Sequence, residues 1–197
     1  FYSGVAEGNI NSDRLIQMMN VQDEQLVIEE KGIYSVEKFL VARRLMYWQA
    51  YLHKTSVVAE IILTKILKRA KELTEKGTLL ECSKPLLYFM QNKVSLNDFN
   101  DAVLDTFALL DDVDVMSAIK NWQFNDDYVL SSLCKMIINR DLLKIQMSED
   151  KPDKDNLNQL KERFLKISPI DAKDIEYFVF KGKLKNQAYN KNSGPIS

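Results

Sequence analysis

The fold is decided by one uninterrupted stretch, SVEKFLVARRLMYWQAYLHKTSVVAEIILTKILKRAKELTEK, which runs from Ser35 to Lys76 without glycine or proline. Its apolar residues recur at the three- and four-residue spacing of an amphipathic helix. Ser35 is a favourable N-cap, and Gly77 is a favourable residue for the C-terminal stop. Because the stretch is longer than the usual helix of a globular domain, we expect a bend near His53–Ser56.

Shorter elements are predicted on both sides of this stretch. Helical spacing of apolar residues predicts further helices at 84–92, 97–109, 112–122, 126–140 and 155–166. We expect an early helix at 13–20, a hairpin that pairs 25–28 with 33–34 around Gly32, and late strands at 142–147 and 175–180. The predicted fold class is mainly α, of the α+β kind: a long central helix with surrounding helices, a small N-terminal hairpin and a few late strands.

The composition excludes several classes of protein. Lysine plus arginine number 27 and aspartate plus glutamate 28, so the net charge is -1 and no global basic field exists to hold a nucleic acid polymer. The apolar runs are far shorter than the roughly 20 residues that cross a bilayer, so we expect no membrane partner. Two cysteines are too few for a disulfide framework, which favours a reducing, cytoplasmic setting.

The sequence does not predict a metal centre within this chain. His53 is the sole histidine, and two scattered cysteines cannot complete a zinc site with it. Five aspartates could hold a cation: Asp111, Asp112, Asp114, Asp126 and Asp127. They lack the glycine and the distal glutamate of a calcium loop, so helix-start carboxylates are the better explanation.

The segment richest in chemistry is 41–55. On an α-helix one stripe of four residues falls within roughly 60°: Arg43, Tyr47, Ala50 and Lys54. Tyr51 and His53 lie off opposite sides of that stripe, so the helix could line two pockets. Because cationic heads bind phosphate oxygens and a tyrosine ring stacks on a base or donates to a sugar, the stripe suits an anionic ligand with a flat base.

Periodicity alone leaves a second interpretation open. Aromatic residues at helical spacing also build hydrophobic cores, and arginine and lysine also form solvated surfaces. A lone histidine is more often structural than catalytic. The choice between a binding site and ordinary structure therefore needs a further observation.

The order of residues in this segment resembles a known family. Arg43 followed by Tyr51-Leu52-His53-Lys54 has the spacing R-x7-Y-x-H-K, which resembles the signature of HD-domain deoxynucleoside triphosphate (dNTP) triphosphohydrolases. The opening FYSGV and the later DRLI at 13–16 resemble the stretch after that family's last metal-binding aspartate. The resemblance covers residues 1–75.

The resemblance implies an activity and a set of contacts. In this family water attacks the α-phosphate of a dNTP and releases a deoxynucleoside and triphosphate. The divalent metal is held by an N-terminal HD part, so no catalytic residue or metal ligand is expected here, and the isolated chain is expected to be inactive. The implied substrate contacts are Arg43, Tyr47 and Tyr51. The implied regulatory-nucleotide contacts are Arg14, Lys31, His53 and Lys54.

The ends of the chain predict a piece of a longer protein, since it starts at Phe1 without methionine and ends at 194–197 directly after a strand-like run. We expect residues 1–147 to be the C-terminal part of the HD helical core, 148–154 a linker, and 155–197 the start of a small, truncated α+β subdomain.

The sequence thus predicts the C-terminal portion of a metal-dependent dNTP triphosphohydrolase. Its expected partners are the dNTP substrate, a dNTP or GTP activator, its own N-terminal HD part and further copies in a dimer or tetramer. Two alternatives stay open. One is a non-catalytic helical module for nucleotide binding or assembly, and the other is an HD phosphohydrolase of another phosphate ester.

Overall fold

The computed structural model describes residues 10–148, 150 and 153–183. The chain divides into two compact units, of which the first holds the described residues up to Val57 together with Lys183, and the second holds Val58–Gly182. The mainly helical fold class with one small hairpin is confirmed. The predicted linker at 148–154 lies partly outside the described residues, and the predicted domain assignment stays a prediction.

The elements follow one another along the chain as eight α-helices and two strands within the described residues. They are α1 (Ser12–Gln17), β1 (Met19–Gln22), β2 (Gln25–Ile28), α2 (Ile33–Met46), α3 (Lys54–Glu75), α4 (Lys84–Gln91), α5 (Asp101–Ala108), α6 (Asp112–Trp122), α7 (Tyr128–Asn139) and α8 (Lys154–Ile167). Short 3₁₀ helices cover Glu30–Gly32, Leu96–Asp98 and Ala172–Tyr177, and a π-helical segment covers Tyr47–Tyr51.

The hairpin of the first unit corrects the expected pairing of 25–28 with 33–34. β2 pairs antiparallel with β1, and the register runs from Met19 opposite Ile28 to Gln22 opposite Gln25. The two turn residues, Asp23 and Glu24, both have positive φ, 51° and 61°. This is the turn geometry that matches the twist of a two-residue hairpin. The early helix therefore ends at Gln17 instead of continuing to residue 20.

Gly32 is required by close packing and not by a hairpin turn. A Cβ at this position would lie 2.7 Å from Cγ2 of Ile28 and 3.0 Å from Sδ of Met18. Only a residue without a side chain allows the chain to pass this close to the hairpin. The glycine thus lets α2 begin immediately after the sheet, two residues before the predicted cap at Ser35.

The long helical stretch is interrupted, as the sequence predicted. The α2 helix passes into the π-helical segment, and the chain leaves helical geometry at Leu52 and His53 before α3 begins at Lys54. At the far end Gly77 has φ 90°. Its N–H donates to the carbonyl of Thr74, and the next N–H donates to the carbonyl of Leu73, both at 3.0 Å. This paired C-terminal cap confirms Gly77 as the stop.

The hydrophobic core of the second unit is built on α3. The side chains of Ile62 and Ile66 are fully buried there, and α6 and α7 pack against the same core. Trp122 of α6 is buried, and its Nε1 donates to the carbonyl of Glu81 at 2.9 Å. The buried members of this core are Val58, Ile62, Ile66, Ala70, Leu80, Leu86, Met90, Ala118, Ile119, Trp122, Val129, Leu130, Leu133, Cys134, Tyr177 and Phe178.

A buried arginine holds three elements of this unit together. Arg69 of α3 donates from Nε to Oδ1 of Asp127 at 3.0 Å and from Nη2 to Oδ2 at 2.6 Å. Its Nη1 donates to Oδ1 of Asp174 at 3.1 Å. Asp127 also accepts from the backbone N–H of Leu130 and so caps α7. One carboxylate therefore serves both a helix start and a bidentate ion pair.

The late strands expected at 142–147 and 175–180 are absent from the described structure. Residues 142–147 have no regular secondary structure. The run IEYFVF includes the end of a 3₁₀ helix, and Phe178 stacks on Phe164 with ring centroids 5.0 Å apart. A short apolar run does not by itself distinguish a strand from other buried segments. Here the side chains are buried by packing on α3 and α8 within one unit.

The helix predicted at 97–109 is also shorter than expected. Its first residues form the 3₁₀ helix Leu96–Asp98, and α5 starts only at Asp101. The Asn100 side chain caps α5 by accepting from the N–H of Val103 at 3.1 Å.

None of the described helices combines the length and the apolarity that crossing a membrane requires.

Candidate functional site

Arg43, Tyr47 and Tyr51 form a ladder on the first unit. The guanidinium carbon of Arg43 lies 5.3 Å from the ring centroid of Tyr47, within cation–π distance. The rings of Tyr47 and Tyr51 lie 5.0 Å apart at an interplanar angle of 35°. Arg43 and Tyr51 are exposed, and Tyr47 is half-buried between them. The structure therefore brings the three predicted substrate residues together.

Tyr47 and Tyr51 lie on the π-helical segment. The N–H of Leu52 donates to the carbonyl of Tyr47 at 2.9 Å, a five-residue step that widens the turn. A π-helical turn holds more residues than an α-helical turn and recurs at functional sites. Residues four apart are neighbours on an α-helix, and Tyr51 still packs against Tyr47 on this wider turn.

A second feature of the first unit is a cavity of about 320 Å³. It is lined by Ile10, Asn11, Arg14, Leu15, Lys31, Tyr34, Ser35, Lys38 and Phe39. Arg14 and Lys31 are two of the residues for which the resemblance implies a regulatory-nucleotide contact. Three cationic side chains around one cavity favour an anionic occupant.

Sequence reasoning missed Lys38 and Tyr34 in this cavity. Lys31, Tyr34 and Lys38 are separated by three and four residues, which places them on one side of the chain as it enters α2. That spacing was the available signal. It was hidden because Lys31 was expected in a hairpin turn, whereas it belongs to the 3₁₀ helix that leads directly into α2.

Local contacts position the cations of the cavity. Asn11 caps α1 by accepting from the backbone N–H of Arg14 at 3.2 Å, which fixes the start of the helix that carries the arginine. Lys31 forms an exposed ion pair with Glu29, Nζ to Oε2 at 2.5 Å. An exposed pair of this kind is worth little, so an incoming anion can compete with the Glu29 carboxylate for the ammonium group.

His53 and Lys54 do not line the cavity that holds Arg14 and Lys31. The carbonyl of His53 accepts from the N–H of Val57 at 3.0 Å, and its Nδ1 accepts from the N–H of Thr55 at 3.3 Å. Both contacts are those of an N-cap residue at the start of α3. Lys54 is the exposed first residue of that helix. His53 thus has a structural role that the sequence did not identify.

Three of the five aspartates considered for a cation act as helix caps or in an ion pair: Asp111, Asp114 and Asp127. Asp111 accepts from the N–H groups of Val113 and Asp114, while the Asp114 carboxylate accepts from the N–H of Asp111 at 3.0 Å. Asp127 is occupied by Arg69 and by the start of α7. The described residues contain no group of three or more histidine, cysteine, aspartate or glutamate side chains that could hold a metal ion.

Comparison with known proteins points to one group of relatives. Residues 10–83 match a family model described as HD associated region. The uncharacterised protein YwfO of Bacillus subtilis is 34% identical over 145 residues, which are 73% of this chain and 32% of YwfO. The uncharacterised MG461 homolog of Mycoplasma pneumoniae is 26% identical in an alignment of 207 positions, gaps included, that covers 92% of this chain and 45% of that protein.

A solved structure shares the fold of this chain. The crystal structure of a phosphohydrolase from Bacteroides thetaiotaomicron superposes with a TM-score of 0.85 at 45% sequence identity, and the match covers 90% of this chain and 44% of that chain. The chain thus spans less than half the length of each of these relatives. The chain is thus similar to an HD-associated region over residues 10–83, and it shares its fold with part of a phosphohydrolase.

Proposed function

We propose that this chain is the C-terminal portion of a metal-dependent dNTP triphosphohydrolase that works in the cytoplasm. A phosphohydrolase-related function is supported by the HD-associated match and by the phosphohydrolase neighbour. The choice of a dNTP rests on one observation, the ladder of Arg43, Tyr47 and Tyr51. It offers a cation for phosphate and an exposed aromatic ring for a nucleoside side by side.

Each residue of the ladder has its own task in this proposal. Arg43 binds the triphosphate through a planar group that never loses its charge near neutral pH. Tyr47 lies beneath the guanidinium and limits the directions in which it can point. Tyr51 packs against the sugar of the nucleotide. The N-terminal HD part would hold the divalent metal, whose chemistry when bound would be the activation of a water molecule.

The cavity beside α1 and α2 is the proposed regulatory-nucleotide site. Arg14 and Lys31 supply cations for a dNTP or GTP activator, and Lys38 adds a third that the resemblance alone did not imply. His53 and Lys54 are proposed to contact the activator from the start of α3. Nucleotide binding would then promote assembly into a dimer or tetramer.

The substrate proposal is tested by Arg43→Ala in the full-length protein. Removing the guanidinium should lower kcat/KM for dNTP hydrolysis by about 100-fold, because an arginine–phosphate contact would be lost. Release of triphosphate measures the rate. Arg44→Ala is the matched control, since Arg44 is also exposed but does not lie over Tyr47, and it should change the rate less than about threefold.

The outcomes of this experiment separate the remaining alternatives. An unchanged kcat/KM in Arg43→Ala would refute the substrate role of the ladder. If the protein binds dNTP but releases no triphosphate with any divalent metal tested, a non-catalytic nucleotide-binding or assembly module would be favoured. Hydrolysis of a different phosphate ester, with dNTP left uncleaved, would favour an HD phosphohydrolase of that other ester.

The regulatory proposal is tested by sedimentation velocity with and without dGTP. We expect Arg14→Ala and Lys38→Ala each to raise the dGTP concentration needed for assembly by about tenfold, since each removes one charge-assisted contact. Lys120→Ala removes an exposed lysine of α6 that does not line the cavity and should leave assembly unchanged. Equal assembly of all three variants and the wild type would exclude the cavity as the regulatory site.

A further inference from the structure

The second unit exposes a group of large apolar side chains around α5. Leu96 and Phe99, which precede the helix, are 94% and 46% exposed, and Leu104 and Phe107 of α5 are 49% and 55% exposed. We call these four residues the α5 surface. Apolar side chains that are exposed singly need no explanation, but a contiguous exposed set marks a docking site.

Three residues of the α5 surface, Phe99, Leu104 and Phe107, lie side by side. The rings of Phe99 and Phe107 lie 6.4 Å apart, and Phe107 also meets Phe89 edge-on at 5.9 Å. Leu104 lies three residues before Phe107 and therefore on the same side of α5. Within α5 only Val103 is buried against the rest of the protein. The helix thus buries one side chain, while about half of the Leu104 and Phe107 side chains stays exposed to solvent.

The segment that carries the α5 surface has negative charges only, and Lys71 of α3 lies next to it with Nζ donating to the carbonyl of Phe89 at 3.1 Å. From Val94 to Ile119 the chain has six aspartates and no lysine, arginine or histidine. Asp101 and Asp105 are exposed, and because they are four residues apart they lie along one side of α5 next to Leu104. This charge opposes nucleic acid and anionic lipid as occupants, and it attracts a cationic partner.

We propose that the α5 surface docks a cationic amphipathic helix of a partner protein. The apolar face of such a helix covers the exposed leucine and phenylalanine side chains, which is the usual way in which an amphipathic helix is recognised. Lysine or arginine residues at its border pair with Asp101 and Asp105. The surface lies entirely within α5 and the turn before it, so the proposal does not depend on the nucleotide sites.

The test uses two synthetic helical peptides and the full-length protein. One peptide has leucine on one face and lysine on the other, and the second has glutamate in place of every lysine. Fluorescence anisotropy should detect binding of the lysine peptide alone, with an affinity that falls as salt is added. Leu104→Glu should weaken this binding at least tenfold. Ile167→Glu, a matched change at an exposed apolar residue of α8, should have no effect.

A double variant tests the charge separately from the apolar contact. Asp101→Asn with Asp105→Asn should weaken binding of the lysine peptide at low salt and reduce its salt dependence, while circular dichroism stays that of the wild type. Equal binding of both peptides, or binding that Leu104→Glu leaves unchanged, would overturn the proposal. The proposal would also be overturned if the protein self-associated without peptide and Leu104→Glu abolished that self-association, because the occupant would then be a second copy. Triphosphate release by each variant is measured separately, so that a failure of the docking proposal is distinguished from a failure of the proposed function.

Discussion

The two units of this protein differ in whether their characteristic side chains are buried in a core or lie at the surface. In the described part of the first unit the buried apolar side chains are Met18, Ala42 and Val57, and the cationic and aromatic residues of the ladder and the cavity lie at or near the surface. The second unit has a continuous core on α3, α6 and α7 and a buried ion-pair network. The difference indicates that the second unit provides most of the stability and the first provides most of the binding chemistry.

The largest expected effect separates the units by stability. Leu130→Ala truncates a side chain of α7 that is fully buried, and it should lower the free energy of unfolding by about 3–4 kcal/mol. Leu26→Ala makes the same chemical change in β2, where the side chain is exposed, and should cost less than about 0.5 kcal/mol. Urea unfolding followed by circular dichroism measures both values. Similar losses for the two variants would contradict the proposed division of roles.

The next effect concerns the ion pair that joins α3 to α7. Asp127→Asn keeps a good N-cap for α7 but leaves the buried Arg69 guanidinium without its bidentate partner, so it should destabilise the protein by about 3 kcal/mol. The adjacent Asp126→Asn removes an exposed carboxylate and is the control, with an expected change below about 0.5 kcal/mol. A small effect of Asp127→Asn would mean that the cap, and not the ion pair, is the important contact.

This ion pair also predicts an acid dependence. Burial alone would raise the pKa of the Asp127 carboxyl, but hydrogen bonds from Arg69 and from the Leu130 N–H, with the Arg69 charge, lower it below the usual value. A lowered folded-state pKa adds stability that is present above the unfolded pKa of about 4 and is lost as the pH falls through the folded pKa. When the pH is lowered from 7 to 3, the free energy of unfolding in urea should therefore fall less for Asp127→Asn than for the wild type.

The sequence predicted the helices well because their signals are local. Apolar spacing located α4, α6, α7 and α8 within about two residues at each end, and the length of the long stretch predicted its bend. Gly77 stops α3 because its left-handed φ suits glycine, a preference that is visible in the sequence. The aspartates at the starts of α6 and α7 were likewise explained as helix-start carboxylates, which their cap contacts confirm.

The remaining features depend on contacts between residues distant in sequence. Nothing local shows that 19–22, and not 33–34, pairs with β2, or that Gly32 is needed because Ile28 and Met18 approach it. The apolar run at 175–180 is as suitable for a strand as for the buried turn that it forms. The π-helical turn at 47–51 also has no recognised sequence signal, although the contact between Tyr47 and Tyr51 is one that residues four apart make on an α-helix as well.

The smallest effect concerns His53, for which a structural and a ligand role compete. As the N-cap of α3 it accepts from the Thr55 N–H, so His53→Ala should cost about 1 kcal/mol. His53→Asn supplies another good cap and should keep the stability within about 0.5 kcal/mol of the wild type. Urea unfolding of the two variants measures how much the cap contributes to stability. Sedimentation velocity with dGTP then measures any contact between His53 and the activator.

The asparagine variant decides the question because it keeps one role and removes the other. If His53→Asn is stable but needs more dGTP to assemble, the imidazole contacts the activator in addition to capping α3. If it is stable and assembles like the wild type, His53 acts only as a cap, and the proposed regulatory contacts reduce to the cations. The first unit would then bind the activator through its cations Arg14, Lys31, Lys38 and Lys54.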